Sequence, residues 1–160
     1  MTDKTLHIVP YISDHGRLIM QSQMNHVLMQ KDASYLEESM DLEEKNLAFS
    51  GFINNNLVAS AGMKLLWGGV AEGWVMATQD VWRHPIVIAR AIKKNFEVLA
   101  EKNKIKRVQT AVRADFDIGL KFAKWLGLKN EGLMEYYGID GSHHYRYCLL
   151  YTSDAADDLY

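Results

Sequence analysis

Residues 71–113 read AEGWVMATQDVWRHPIVIARAIKKNFEVLAEKNKIKRVQTAVR and predict a strand, a helix and a second strand in succession. The first strand covers residues 71–78. The helix begins at His84-Pro85, because proline fits the first helical position, where its missing N–H would have no partner. One face of this helix carries an apolar stripe at helical spacing, formed by Ile88, Ile92, Phe96 and Leu99. The second strand covers residues 105–113. A helix between two neighbouring strands is a crossover, so these strands are predicted to be parallel.

The segments on either side complete one sheet. Upstream, the pattern predicts a short strand, two helices and two strands, over residues 6–9, 14–30, 33–44, 47–53 and 57–67. Downstream it predicts a helix and a hairpin, over residues 115–126, 128–137 and 143–147, with Asp140-Gly141 as the turn signal. The fold class is therefore α/β (α+β in some schemes). We expect a single domain with a mixed, mostly antiparallel sheet of about six or seven strands and helices on both faces.

Composition bounds the function. The chain has 160 residues, of which 48% are hydrophobic and 24% charged, and a formal net charge of −2. Such a charge gives no bulk attraction to nucleic acid or to an anionic membrane, so neither is expected as a partner. The N-terminus lacks the apolar stretch of a secretory signal, so secretion is not expected. The six histidines include His143-His144, whose side chains would face opposite sides of a strand, and no zinc-type spacing occurs; no metal site is predicted.

The C-terminal residues form a separate case. Residues 148–158, CLLYTSDAADD, resemble a translated sequencing adapter. This resemblance predicts a domain over residues 1–147 and a non-native tail over residues 148–160 in an assembled environmental gene. Cys148, the one cysteine of the chain, is then given no functional role.

The second half of the chain resembles a known family. Residues 106–112, KRVQTAV, resemble the fifth strand of the GCN5-related N-acetyltransferases, and residues 122–128, FAKWLGL, resemble the end of the last helix of that family. Residues 131–134, EGLM, followed by Asp140-Gly141, resemble its ribosomal-protein N-terminal acetyltransferase branch. Residues 78–83, TQDVWR, resemble small tailed-phage proteins of this fold, some of them associated with the virion.

The resemblance implies a site for acetyl-CoA. In this family the pantetheine chain pairs with the fourth strand, and the pyrophosphate lies at the N-terminus of the following helix, where unbonded N–H groups and the helix dipole attract an anion. Carried over to this chain, the cofactor-binding residues are Met76, Ala77, Thr78, Arg83, His84, Val87, Ile88, Ala89 and Arg90. The thioester carbonyl would be polarised by a main-chain N–H near Ala77 or Thr78.

The phosphate loop departs from the family pattern, which is Gln or Arg, two residues, Gly, one residue, and Gly or Ala. His84 stands in the first of these positions and Val87 replaces the first glycine, so Ala89 alone matches. A valine side chain can crowd the phosphates, and Pro85 removes one donor. Arg83, His84 and Arg90 could compensate with side-chain charge.

The catalytic groups are less defined. The reaction needs a base for the amine proton and an acid for the departing thiolate. Glu72, near the start of the fourth strand, is the candidate base, with a solvent-facing strand carboxylate as the alternative. Relatives use a tyrosine of the last helix as the acid, but that position is Ala123 here, which leaves Tyr137 as a candidate.

Two functions follow from the resemblance. The first is an acetyl-CoA-dependent N-acetyltransferase acting on an unidentified amine. The alternative is a non-catalytic phage protein of this fold that serves in the virion or its assembly, with other virion proteins as partners. Either would be located in the host cytoplasm or in the virion.

Overall fold

The computed structural model describes residues 5–22 and 47–151. Their strands form one seven-stranded sheet in the order β1-β2-β3-β4-β5-β7-β6. The strands are β1 (Leu6–Pro10), β2 (Ala48–Ile53), β3 (Asn56–Trp67), β4 (Val70–Ala77), β5 (Arg107–Arg113), β6 (Lys129–Met134) and β7 (His144–Leu150). The helices are α1 (Ser13–Ser22), α2 (Pro85–Lys102) and α3 (Asp117–Trp125), with a short 3-10 helix at Gln79–Arg83 before α2. This element order confirms the predicted fold class and the mixed sheet.

Pairing in the sheet follows the predicted directions. The β4–β5 pair is parallel, as expected for a crossover through α2. The β1–β2, β2–β3, β5–β7 and β6–β7 pairs are antiparallel. The predicted acidic helix over residues 33–44 and the second half of the predicted first helix lie outside the described residues.

The chain forms two compact units. Of the described residues, the first contains 5–22, 47–64 and 74–92. Within it, Ile88 and Ile92 of α2 line a small apolar cavity together with Phe49 and Ala61. On α1, His15 instead contacts Ser50, which points to the opposite face of β2 from Phe49. Helices therefore cover both faces of the sheet in this unit.

A buried polar cluster lies under α1 in the first unit. Ser50 and Ser60 are opposite each other in the β2–β3 register, and their hydroxyls are 2.7 Å apart. His15 Nδ1 lies 2.8 Å from Ser50 Oγ and accepts the N–H of Ile12 at 3.3 Å. The side chain at the third helical position thus caps the residue before the helix, as in a capping box. This arrangement satisfies polar groups that burial would otherwise leave unbonded.

Of the described residues, the second unit contains 65–73 and 93–151. Gly73 allows close packing here, since a Cβ on it would lie 2.9 Å from Val108 Cγ1 and 3.6 Å from the Phe96 ring. The end of α3 is closed by Gly127, whose φ of 94° is left-handed, as is common for a glycine that caps a helix C-terminus. The β7 strand runs beyond the predicted residue 147, because Cys148, Leu149 and Leu150 continue its register with β5.

Candidate functional site

The N-terminus of α2 lies where the predicted phosphate loop begins. The first intrahelical bond joins the N–H of Ile88 to the carbonyl of His84 at 3.2 Å. The preceding N–H groups of Ile86 and Val87 belong to the first turn, which has no intrahelical acceptors for them, and Pro85 has no N–H. Both residues are exposed, Val87 to 47%. An 18-residue helix thus presents two donors and the positive end of its dipole to solvent.

The predicted phosphate residues have different environments. Ile88 is buried with Ile92 in the core, and its N–H is already bonded to the carbonyl of His84, so it offers a ligand neither its side chain nor its N–H. Val87 faces outward, so its side chain stands beside the exposed donors. Ala89 is half-buried and Arg90 is exposed one turn into the helix. The departure from glycine at position 87 therefore falls at the surface and not in the core.

Arg83 and His84 line a polar hollow beside this turn. The hollow has a volume of about 50 Å³ and is bordered by Asn54, Asn56 and Asp80 as well. Arg83 is largely exposed, and its guanidinium lies 3.6 Å from the Asp80 carboxylate, which offsets part of its charge. The sequence did not predict the 3-10 helix that places these groups before α2.

The end of β4 is anchored to β3 by Thr78. Its N–H donates to the carbonyl of Val58 at 2.9 Å, and its hydroxyl donates to the carbonyls of Leu57 and Val58 at 3.0 and 3.2 Å. The Thr78 N–H is therefore engaged within the sheet, which corrects the expectation that it could polarise a thioester. Along a strand, the N–H and C=O groups of successive residues point alternately to the two sides. The N–H of Thr78 points to β3, so the main-chain groups of Val75, three residues earlier, point away from β3.

The β4–β5 pairing is short. It comprises three residue pairs, Val70 with Arg107, Ala71 with Val108 and Glu72 with Gln109, whereas β4 itself continues to Ala77. Met76, predicted to bind the cofactor, lies in this continuation with its side chain near Gly16 of α1. Because consecutive side chains alternate, Val75 points to the other face of β4.

The candidate catalytic residues Glu72 and Tyr137 are linked by Arg146 in the second unit. Arg146 Nη1 lies 3.3 Å from both carboxylate oxygens of Glu72, and the guanidinium lies 5.6 Å from the centre of the Tyr137 ring. Gln109 Nε2 also donates to Glu72 at 3.3 Å. The Glu72 carboxylate is thus held by two donors. Arg146 and Gln109 had not been identified from the sequence, because their meeting depends on strand register.

Hydrogen bonds hold the hairpin between β6 and β7, which carries Tyr137. Arg113 Nη1 donates to Asp140 at 2.7 Å, and the Asp140 side chain is 4% exposed. Hydrogen bonding by Ser142, and then by Arg113, holds the pKa of Asp140 well below its ordinary value. Tyr136 has a positive φ of 55°, and its N–H donates to His143 Nδ1 at 3.0 Å. The backbone is therefore constrained where it presents Tyr136 and Tyr137.

The described residues hold neither a cluster of metal ligands nor a membrane-spanning helix. Within residues 5–22 and 47–151, no three His, Cys, Asp or Glu side chains come together as metal ligands. None of the helices in these ranges is long and apolar enough to cross a membrane.

Comparison with known proteins identifies the fold. No protein-family model matches the chain, and no curated protein matches its sequence. Among solved structures, Ard1 from Thermoplasma volcanium superposes with a TM-score of 0.74 at 16% identity, covering 92% of this chain and 99% of its own. The ribosomal-protein-S18-alanine N-acetyltransferase from Escherichia coli gives 0.69 at 17%, covering 94% and 97%. The structure of yncA from Salmonella typhimurium, with its cofactor acetyl-CoA, gives 0.67 at 11%, covering 96% and 98%.

Proposed function

We propose that this chain, which has the fold of the GCN5-related N-acetyltransferases, binds acetyl-CoA along β4 and the first turn of α2 and transfers the acetyl group to an amine. The observation that carries the proposal is the short β4–β5 pairing, three residue pairs in a β4 strand that continues to Ala77. The likeness to a protein solved with acetyl-CoA supports the choice of cosubstrate.

The residues present fit an extended, anionic ligand. The main chain of Val75 points away from β3, so it can pair with the amide groups of a pantetheine chain as an added strand would. The exposed N–H groups of Ile86 and Val87 suit a pyrophosphate at the positive end of α2. Arg83, His84 and Arg90 add side-chain donors. The poorest fit is the Val87 side chain, which narrows the approach that glycine would leave open.

Acetyl-CoA supplies the acetyl group as a thioester. The amine nitrogen bonds to the carbonyl carbon, the carbon–sulfur bond breaks, one proton leaves the nitrogen and one ends on the sulfur. In our proposal a main-chain N–H of β4 that points away from β3 polarises the carbonyl, a role that the resemblance assigns near Ala77 or Thr78. Glu72 receives the amine proton through water, and Tyr137 supplies a proton to the thiolate. Arg146 positions both side chains.

Release of the CoA thiol tests the transfer. The full chain is incubated with acetyl-CoA and a panel of amines, including peptides with free N-termini, and thiol release is followed with a chromogenic reagent. We expect release that requires an amine. Glu72→Gln should lower kcat about 10²- to 10⁴-fold, in line with the loss of a general base, without weakening acetyl-CoA binding. Equal kcat values for Glu72→Gln and the parent would remove Glu72 from the mechanism.

The non-catalytic alternative rests on Ala123. This residue lies buried in α3 at the position where the resemblance expects a tyrosine, so no hydroxyl is available there. A protein that binds acetyl-CoA but releases no thiol with any amine would favour a phage virion or assembly role. Thiol release dependent on an amine would exclude that alternative.

A further inference from the structure

The β3 strand ends in a segment that is exposed on both faces. Residues 58–63 are buried without interruption, whereas Leu65, Leu66 and Trp67 are all exposed, Trp67 to 66%. Consecutive side chains in a strand point to opposite faces. The apolar surface therefore surrounds the end of the hairpin and does not form one flat patch. We name residues 65–69, which end in the Gly68-Gly69 turn, the Trp67 tip.

Lysines surround the Trp67 tip. The carbonyl of Gly69 accepts the N–H groups of Lys106 and Arg107 at 2.8 and 3.0 Å, so the loop between α2 and β5 lies against the turn. Lys102, Lys104 and Lys106 in and beside this loop are exposed. Glu101 is the one acidic residue of the sequence 101–106, EKNKIK, so this stretch carries a net positive charge. An anionic partner is therefore favoured at this end of the second unit.

We propose that the Trp67 tip docks on an anionic lipid bilayer, with Trp67 and the two leucines entering the headgroup region and the lysines contacting acidic headgroups. Tryptophan is enriched at membrane–water interfaces, because one end of its ring system is apolar and the other can remain hydrated. Lipid can contact both faces of the Trp67 tip, whereas a folded partner with a flat surface would cover a single face. Basic residues beside an anionic bilayer add attraction that salt screens.

The local charge explains why composition does not reveal this surface. The whole chain has a net charge of −2, which opposes a general attraction to anionic lipid. The basic side chains meet the apolar hairpin because the loop between α2 and β5 bonds to Gly69, and this contact is a property of the fold. The inference does not depend on acetyl transfer.

Cosedimentation with vesicles tests the inference. The full chain, which includes the three aspartates near its C-terminus, is mixed with vesicles of phosphatidylcholine and phosphatidylglycerol. The two lipids are present at roughly 70:30, an anionic content that gives the vesicle a negative surface potential. We expect binding to these vesicles that falls as salt rises, and little binding to phosphatidylcholine alone. Lys104→Gln with Lys106→Gln should weaken binding roughly thirty-fold, from about 1 kcal/mol per lysine.

Matched variants assign the binding to the tip. Trp67→Ala should abolish vesicle binding, whereas Trp82→Ala removes another exposed tryptophan, in the 3-10 helix, and should not. Circular dichroism of each variant shows whether it is folded. Trp67→Phe, which keeps an aromatic ring, should retain most binding. The inference is overturned if the parent does not bind anionic vesicles, if Trp82→Ala loses binding as Trp67→Ala does, or if sedimentation shows a Trp67-dependent dimer without vesicle binding.

Discussion

At the scale of single residues, several polar side chains are buried and hydrogen-bonded, so the loss of one partner would lower the free energy of unfolding. The hydroxyls of Ser50 and Ser60 are almost fully buried and bond to each other, and Ser50 also contacts His15. Such a cluster cannot be recognised from sequence, because serine in a strand is ordinary and the pairing depends on the β2–β3 register. The same holds for Glu72, whose partners lie on two other strands.

The serine cluster leads to a stability prediction. Ser50→Ala should lower the free energy of unfolding by about 1–3 kcal/mol, because it leaves the buried Ser60 hydroxyl without its partner. The double variant with Ser60→Ala should cost less than the sum of the two single variants, since both partners are then removed. Urea unfolding of the four proteins measures this coupling. Additive losses would mean that the two hydroxyls do not interact.

The buried Asp140 carboxylate predicts a dependence on pH. Its pKa is lowered in the folded protein by the bonds from Ser142 and Arg113, so the ionised form is bound more favourably in the folded state than in the unfolded state. That stabilisation is complete above the unfolded pKa of about 4 and is lost as the pH falls toward the folded pKa.

Asp140→Asn therefore reduces stability at neutral pH, and the difference from the parent should narrow below about pH 4. Urea midpoints between pH 7 and pH 3 measure this difference. Glu135→Gln, which changes another residue of the same hairpin, exposed and in its turn, is the matched control. A constant gap between Asp140→Asn and the parent would contradict the assignment.

At the scale of elements, most strands and helices could be predicted, because periodicity and turn residues are local signals. The Asn54-Asn55 turn has φ values of 53° and 63°, which asparagine tolerates, and α2 begins at Pro85 as predicted. The 3-10 helix before α2 could not be predicted, since its residues follow neither a strand nor a helix period. The length of β7 depends on pairing with β5, which local sequence does not specify.

Two glycines of β3 and its hairpin give an element-scale prediction. A Cβ on Gly62 would lie 2.8 Å from the Leu47 carbonyl oxygen and 2.7 Å from Ala48 Cβ, whereas one on Gly68 would meet nothing within 4 Å. Gly62→Ala should therefore force β2 and β3 apart and cost about 1–3 kcal/mol. Gly68→Ala should leave the midpoint of thermal unfolding nearly unchanged. Similar losses in the two variants would refute this account of the β2–β3 contact.

At the scale of the whole molecule, the central question is whether a chain with this fold binds acetyl-CoA. The sequence supplied the order of elements and the departures at positions 84 and 87. It could not show which side chains of α2 are exposed. Because the first turn of α2 is exposed, a valine at position 87 does not disturb the packing of the protein. The same side chain would, however, crowd a phosphate bound at this turn. A substitution at position 87 can therefore change ligand binding without lowering the stability of the fold.

A negative charge at position 87 should stabilise the free protein and weaken the binding of acetyl-CoA. An aspartate in the first turn of α2 interacts favourably with the helix dipole, by about 0.3–1 kcal/mol, so Val87→Asp should leave the free protein folded. The same charge repels a pyrophosphate. Val87→Asn has nearly the same shape without the charge and is the matched control.

The most direct test is thermal unfolding of the full chain with and without acetyl-CoA. At about 100 times its dissociation constant, a ligand stabilises the folded state by about 2.7 kcal/mol, which corresponds to a rise in Tm of several degrees. We predict this rise for the parent and for Val87→Asn, and its loss in Val87→Asp. An unchanged Tm for the folded parent at millimolar acetyl-CoA would contradict the proposed site and the proposed activity together.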